Sequence, residues 1–161
     1  MCDYSLHTQP NRLAVEGEEL VTHRFPTYSI GLASPADIEN ARRAEAGGSW
    51  WSALKNLLSA APHPAAAIPA VCVPPGARLL LRDIPWDTQL ELRVGATEAV
   101  EFVQLSATEY RYRDALRFRT GRATLLQQLP EGLRMEVLSL ASSGSESQAQ
   151  EHTALVPAGS R

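Results

Sequence analysis

The chain alternates apolar and polar residues with a period of two over most of its length, and changes to a helical period once. Residues 13–15 and 20–25 flank Gly17, which predicts a hairpin or a bent pair of strands. In the second arm Val21, His23 and Phe25 share one side, because successive strand side chains point to opposite faces. Residues 28–33 (YSIGLA) form another short strand candidate after Pro26. Strands resume at Ala70-Val71-Cys72-Val73, turn at Pro74-Pro75-Gly76, and continue over 77–84. The consecutive Leu79, Leu80 and Leu81 predict burial on both faces there. Leu90, Leu92 and Val94 alternate with Glu91 and Arg93, which predicts a half-buried strand after a connection at 85–88; residues 99–105 (AVEFVQL) supply the next.

The stretch 110–140, YRYRDALRFRTGRATLLQQLPEGLRMEVLSL, reads as three short strands joined by turns at Thr120-Gly121 and Pro130-Glu131-Gly132. On its first strand Tyr110, Tyr112, Leu116 and Phe118 lie to one side, and Arg111, Arg113, Arg117 and Arg119 to the other. Asp114 falls on the apolar side, which predicts a bulge or a charge pair with an arginine. On the last strand Leu133, Met135 and Val137 face one way until Leu138 and Leu140 break the alternation.

The helical period begins at Ser34-Pro35-Ala36-Asp37: a serine N-cap, proline in the first helical position and an acid in the first turn. Residues 36–46 predict a polar helix ended by Gly47-Gly48. A second helix starts at Ser49, with Trp50, Leu54, Leu57, Leu58 and Ala61 at helical spacing, and stops at Pro62-His63-Pro64. Segment 35–61 is therefore a helical hairpin inserted between strands, and 62–70 is the return linker. Beyond Ala141 the polar tail 142–161 has too little apolar content to pack alone. The expectation is a mainly β fold: a small barrel or sandwich of short antiparallel strands with an inserted helical hairpin, in one domain over 1–141.

Composition narrows the picture. At 161 residues, 44% apolar and 20% charged, the chain suits one globular domain and is short for two. The net charge of −3 gives the whole molecule no attraction to nucleic acid or anionic lipid. Residues 110–122 nevertheless hold five arginines and one aspartate, a local +4 against −7 elsewhere. Arginine outnumbers lysine fourteen to one, which points to a GC-rich bacterial genome. Two cysteines are too few for a disulfide framework. The amino terminus lacks the basic and apolar regions of a secretory signal, and no window is apolar enough for a membrane span. A cytoplasmic protein with reduced thiols is the resulting expectation.

The opening MCDYSLH, the later GEEL, the segment AVCVPPG and the closing DALRF, TG and LLQQLPEG together resemble a group of small uncharacterised proteobacterial proteins. The resemblance covers both flanks and departs over 35–61. It implies one continuous domain with an insertion, and it brings no activity with it.

Four constellations carry candidate chemistry. If the initiator Met is removed, Cys2 presents a thiol beside an α-amine, the pairing of N-terminal nucleophile hydrolases. The chain lacks the length and pattern of their layered scaffold, so a buried structural thiol is the preferred reading. Cys2, His7, His23 and Cys72, with Asp3, would if brought together suit zinc or another transition metal. Their spacing does not demand it, and no cofactor is predicted. Arg111, Arg113, Arg117 and Arg119, with Arg122 and Arg134 nearby, could bind phosphates or an acidic partner at about 6.6–7 Å intervals. The competing reading is a solvated face paired with Glu98, Glu101 or Glu109 on a neighbouring strand. Trp50 and Trp51 exceed what a short insertion needs for its own packing, and tryptophan anchors interfaces; the competing reading is a helix that caps an open end of the barrel with its apolar stripe. No phosphate loop, dinucleotide fingerprint, serine elbow, kinase set or HExxH is present. The reading reached is a non-catalytic binding or accessory module that contacts another protein, as a subunit of a complex, through the Trp50-Trp51 helix and the arginine strand. A metal or thiol site is the alternative, and anion or nucleic-acid binding through the arginines the third.

Overall fold

A computed structural model describes Leu6 and residues 8–46, 67–105 and 112–140. Its centre is a curled, seven-stranded antiparallel sheet. The strands are β2 (Glu19–Arg24), β3 (Ile30–Ala33), β5 (Arg78–Arg82), β6 (Glu98–Gln104), β7 (Asp114–Phe118), β8 (Ala123–Leu125) and β9 (Arg134–Ser139), in the order β3-β2-β9-β5-β6-β7-β8. β1 (Asn11–Leu13) and β4 (Ala70–Cys72) form a separate parallel pair with Leu13 opposite Cys72. The fold is mainly β, a half-barrel with a helical insertion, as the alternation predicts.

The concave side of the sheet is the main core. Leu20, Leu79, Leu81, Phe102, Leu116, Met135 and Val137 are each at most 2% exposed, and each occupies the inward position of its strand. Burying a side chain of this size contributes roughly 1.5–3 kcal/mol, so this row dominates the stability. A second apolar cluster of Leu6, Phe25, Ala33 and Ala70 lies apart from it, with Ile38 and Ile68 packed against it. The Val21–His23–Phe25 side of β2 thus leads into a satellite cluster, while Leu20 and Thr22 face the main core.

Two polar devices fix the sheet's ends. Thr22 is 1% exposed; its Oγ1 donates to Pro130 O (2.6 Å) and accepts from Leu133 N (2.9 Å). Its backbone N–H donates to Leu133 O (3.0 Å) and its carbonyl accepts from Gly132 N (2.8 Å), so one residue holds the turn before β9. Gly132 sits there at φ 85°, a conformation that favours glycine. The second device is Gln127, in a 3₁₀ turn (Leu126–Gln128) that follows β8. Its Oε1 accepts from Ile30 N (2.9 Å) and its Nε2 donates to Ile30 O (2.7 Å). Ile30 belongs to the opposite edge strand, β3, so a side-chain amide stands in for the missing strand and links the two edges of the sheet.

α1 (Pro35–Ala46) begins where the sequence predicts it, with Ser34 Oγ accepting from Ala36 N (3.3 Å). Asp37 in its first turn reaches Arg12 Nη2 at 3.3 Å, tying the helix to β1. The second predicted helix lies outside the described residues.

Several expectations are corrected. Residues 90–94 are not a strand: α2 (Trp86–Leu92) occupies the region. Its buried Thr88 and Leu92 are four residues apart, the helical repeat; Leu90, central to the alternating pattern, is 59% exposed. Gln89 Nε2 secures the helix start on Ile84 O (2.6 Å). β1 does not form a hairpin with β2, because its partner is β4. Stretch 110–140 does hold three short strands, but they are not all neighbours: β7 and β8 pair, whereas β9 inserts between β2 and β5. Of the two alternatives for Asp114 the bulge is absent, since the β6–β7 register runs unbroken; Gln104 Nε2 donates to Asp114 Oδ1 (3.0 Å) across the pair. Tyr112 precedes the strand and is 47% exposed, so it is not core. Leu80 is only half-buried, so β5 is not buried on both faces.

Candidate functional site

The convex face of the sheet carries the charge. On β5, Arg78 and Arg82 point outward at either end of a strand whose Leu79 and Leu81 point inward. Register places Arg78 opposite Glu101 on β6, and Glu101 opposite Arg117 on β7. Arg119, two residues beyond Arg117, is exposed in the turn that follows β7. Arg117 Nη1 donates to Glu101 Oε2 at 3.1 Å, with both side chains more than a third exposed. A pair so exposed contributes about 0–1 kcal/mol. Arg78 and Arg119 are exposed, and among the described residues no carboxylate lies within ion-pair reach of either.

These residues enclose an open depression of about 310 Å³ lined by Arg78, Ala99, Glu101, Arg117 and Arg119, with Val100 and Phe118 beneath. Its side chains sum to +2. The small Ala99 leaves the hollow unfilled on the Arg119 side. A depression of similar volume, about 330 Å³, lies elsewhere on the sheet between β2, β9 and β5. There Arg134 Nη1 pairs with Glu19 Oε1 (3.0 Å), and Arg82 Nη2 donates to Glu136 Oε2 (2.5 Å). That second hollow is charge-balanced. The two differ in the unmatched guanidinium groups, which is the property an anionic ligand would read.

Of the arginines expected to form a face, Arg117 and Arg119 line one hollow, and Arg117 pairs with Glu101, one of the three carboxylates that the competing solvated-face reading offered. Arg113 precedes β7 and is half-buried, its carbonyl accepting from Leu105 N (2.9 Å). Arg122 Nη1 donates to Glu91 O (2.8 Å), away from the hollow. Arg111 lies outside the described residues, as do Trp50, Trp51, Cys2 and His7. Arg78 was missed by the sequence reading. Its signal was the flanking position in Arg78-Leu79-Leu80-Leu81-Arg82, which marks an outward face once the strand is half-buried. A second missed feature is Trp86, 70% exposed, one helical turn from the exposed Leu90 on α2.

The metal-ligand candidates fare differently from one another. Cys72 is 5% exposed and disulfide-bonded, and a disulfide sulfur is not a thiolate ligand. His23 lies edge-on to Phe25, with ring centroids 5.0 Å apart, and its Nδ1 is 3.6 Å from Glu131 Oε1. Burial pushes the His23 imidazole below its ordinary pKa; Glu131 opposes this and Arg42 reinforces it. Among the described residues no group of three or more His, Cys, Asp or Glu is placed to hold a metal ion. The other shifted groups serve the scaffold. Arg12, whose guanidinium hydrogen-bonds Glu18 and Asp37, holds the Glu18 carboxyl below its ordinary range, and the Val15 N–H adds to that effect against burial. Arg12 is raised in turn, chiefly by its hydrogen bond to Glu18.

Among the described residues no helix is long and apolar enough to cross a membrane. Comparison with protein families, with curated proteins and with solved structures finds no match to this chain.

Proposed function

We propose that this protein is a non-catalytic binding or accessory module that docks an acidic segment of another protein on the convex face of its sheet. The observation that carries this reading is the pair Arg78 and Arg119, exposed and, among the described residues, without a carboxylate partner, on either side of the Glu101–Arg117 pair. Unpaired guanidinium groups at one hollow, beside a balanced hollow of similar size, favour a ligand over a merely solvated surface. The Trp50-Trp51 helix remains part of the proposal from its sequence alone. The disulfide at Cys72 is an argument for an oxidising compartment rather than the cytoplasm expected from cysteine count.

A fluorescent peptide of alternating glutamate and alanine, titrated at low and high salt, tests the docking face. Arg78→Glu with Arg119→Glu should abolish binding, while Arg82→Gln in the balanced hollow should leave it within about twofold. Equal binding by all three proteins would sink the reading.

A further inference from the structure

We infer that the Arg78–Arg117–Arg119 hollow recognises a phosphorylated side chain on its protein partner, a phosphomonoester dianion rather than a lone carboxylate. The inference rests on the docking function proposed above and names what the face reads.

Charge comes first. Three guanidinium groups and the Glu101 carboxylate leave a surplus of +2 at one hollow. A single carboxylate neutralises half of that surplus. A phosphomonoester carries about −1.5 to −2 at neutral pH, which matches it. Geometry agrees. Arg78 and Arg117 flank Glu101 across three adjacent strands, and Arg119 lines the same hollow from the turn that follows β7, so the three arginines come from two strands and a turn rather than from one strand. A tetrahedral anion with three acceptor oxygens can engage several planar donors at once, and among the described residues Arg78 and Arg119 have no ion-pair partner.

Size limits the ligand. About 310 Å³ is near the lower bound of small-molecule sites, enough for a phosphate and the side chain that bears it. Nucleic acid fits less well. Single strands need exposed aromatic platforms, and among the described residues the aromatic ring lining this hollow is Phe118, which is 2% exposed. A membrane surface fits less well too, because the other hollow carries paired charges of both signs instead of extending the positive field.

The test uses the full chain and three labelled peptides that differ at one central position: phosphoserine, glutamate or serine, among glutamate and alanine residues. The expected order is phosphoserine tightest, by roughly tenfold over glutamate, from about one extra charge-assisted hydrogen bond. Arg78→Gln and Arg119→Gln should each erase that preference with an unchanged thermal midpoint, and Arg82→Gln should not. If phosphoserine and glutamate peptides bind equally, the phosphate inference fails and the acidic docking face stands. If no peptide binds, both fail. Tighter binding to phosphatidylserine vesicles or to an oligothymidylate than to the phosphopeptide would also overturn the inference.

Discussion

The bridge between Gln127 and Ile30 makes a quantitative test of how the half-barrel is held. Ile30 is 3% exposed, and its N–H and C=O point away from β2 to a side-chain amide 2.9 and 2.7 Å distant. Replacing Gln127 by leucine keeps the volume and removes both partners. Each lost hydrogen bond forfeits about 0.5–1.5 kcal/mol, and a buried group left unpaired costs about 1–3 kcal/mol. Gln127 is itself half-buried, so water can reach part of the gap, and a net loss of about 2 kcal/mol is expected. For a chain of this length that lowers the melting midpoint by roughly 4–8 °C. Urea unfolding gives the free energy, and hydrogen exchange at the Ile30 amide reports the local link. Gln127→Glu is the discriminating variant. An ionised carboxylate still accepts from Ile30 N but repels Ile30 O, while the protonated acid donates to it. The glutamate variant should therefore recover stability relative to wild type as pH falls through the carboxylate range, whereas the leucine variant should not. A leucine variant within about 0.5 kcal/mol of wild type, or an Ile30 amide equally protected in both, would refute the reading.

Four further outcomes are expected. Thr22→Val should cost about 2–4 kcal/mol in urea unfolding, since it strips the Oγ1 that serves both Pro130 O and Leu133 N in a site 1% exposed; a Thr22→Ser variant should retain most of the stability. Gly31→Ala should destabilise by about 1–3 kcal/mol, because its Cβ would stand 2.5 Å from Leu6 Cδ1 and 3.0 Å from Phe25 Cε2; pairing it with Leu6→Ala should cost less than the two single changes together. His23 is held below its unfolded pKa, so its contribution is fully present above about pH 6.5 and is lost as pH falls through the folded value; His23→Gln should flatten that part of the stability–pH curve, and an unchanged slope would count against the burial of the ring. Cys72 should resist iodoacetamide until a dithiol reductant is added, and Cys72→Ser should lose about 2–4 kcal/mol; peptide mapping without reduction then identifies the bonded partner, Cys2 being the only other cysteine in the chain.

What the sequence made legible follows from where period-two patterning is physically enforced. Leu133, Met135 and Val137 alternate because β9 has one face in the core, and that alternation is visible in the residues. The start of α1 was legible because Ser34 and Pro35 are chosen by helix-end chemistry that is local. Strand order was not. β9 inserts between β2 and β5, a pairing of residues more than fifty positions apart that no turn signal encodes. α2 was misread because Leu90, Leu92 and Val94 alternate by coincidence; only the packed Thr88 and Leu92 reveal the helical repeat. The site was half legible for the same reason. Arg117 and Arg119 stood out as a run, but Arg78 joins them only through the β5–β6–β7 register. Gln127 carried no signal at all, because its meaning depends on a sheet edge formed almost a hundred residues earlier.

Whether the unpaired arginines serve the fold or a ligand can be decided by asking what a more stable surface would look like. Ala99 lines the hollow two residues before Glu101, on the same face of β6 and beside Arg119. A glutamate there would give Arg119 a cross-strand partner, as Glu101 does for Arg117. Such a pair contributes roughly 0.2–1 kcal/mol, so Ala99→Glu should leave stability unchanged or raised. It would also lower the charge of the hollow from +2 to +1 and fill part of its volume. If the surplus charge is there for a partner, Ala99→Glu should weaken binding of the acidic and phosphorylated peptides by an order of magnitude or more while the melting midpoint holds or rises. If it is only a solvated face, the same change should be silent in binding. Binding unchanged in a stably folded Ala99→Glu protein would remove the hollow from function, because no structural loss could then be masking its role.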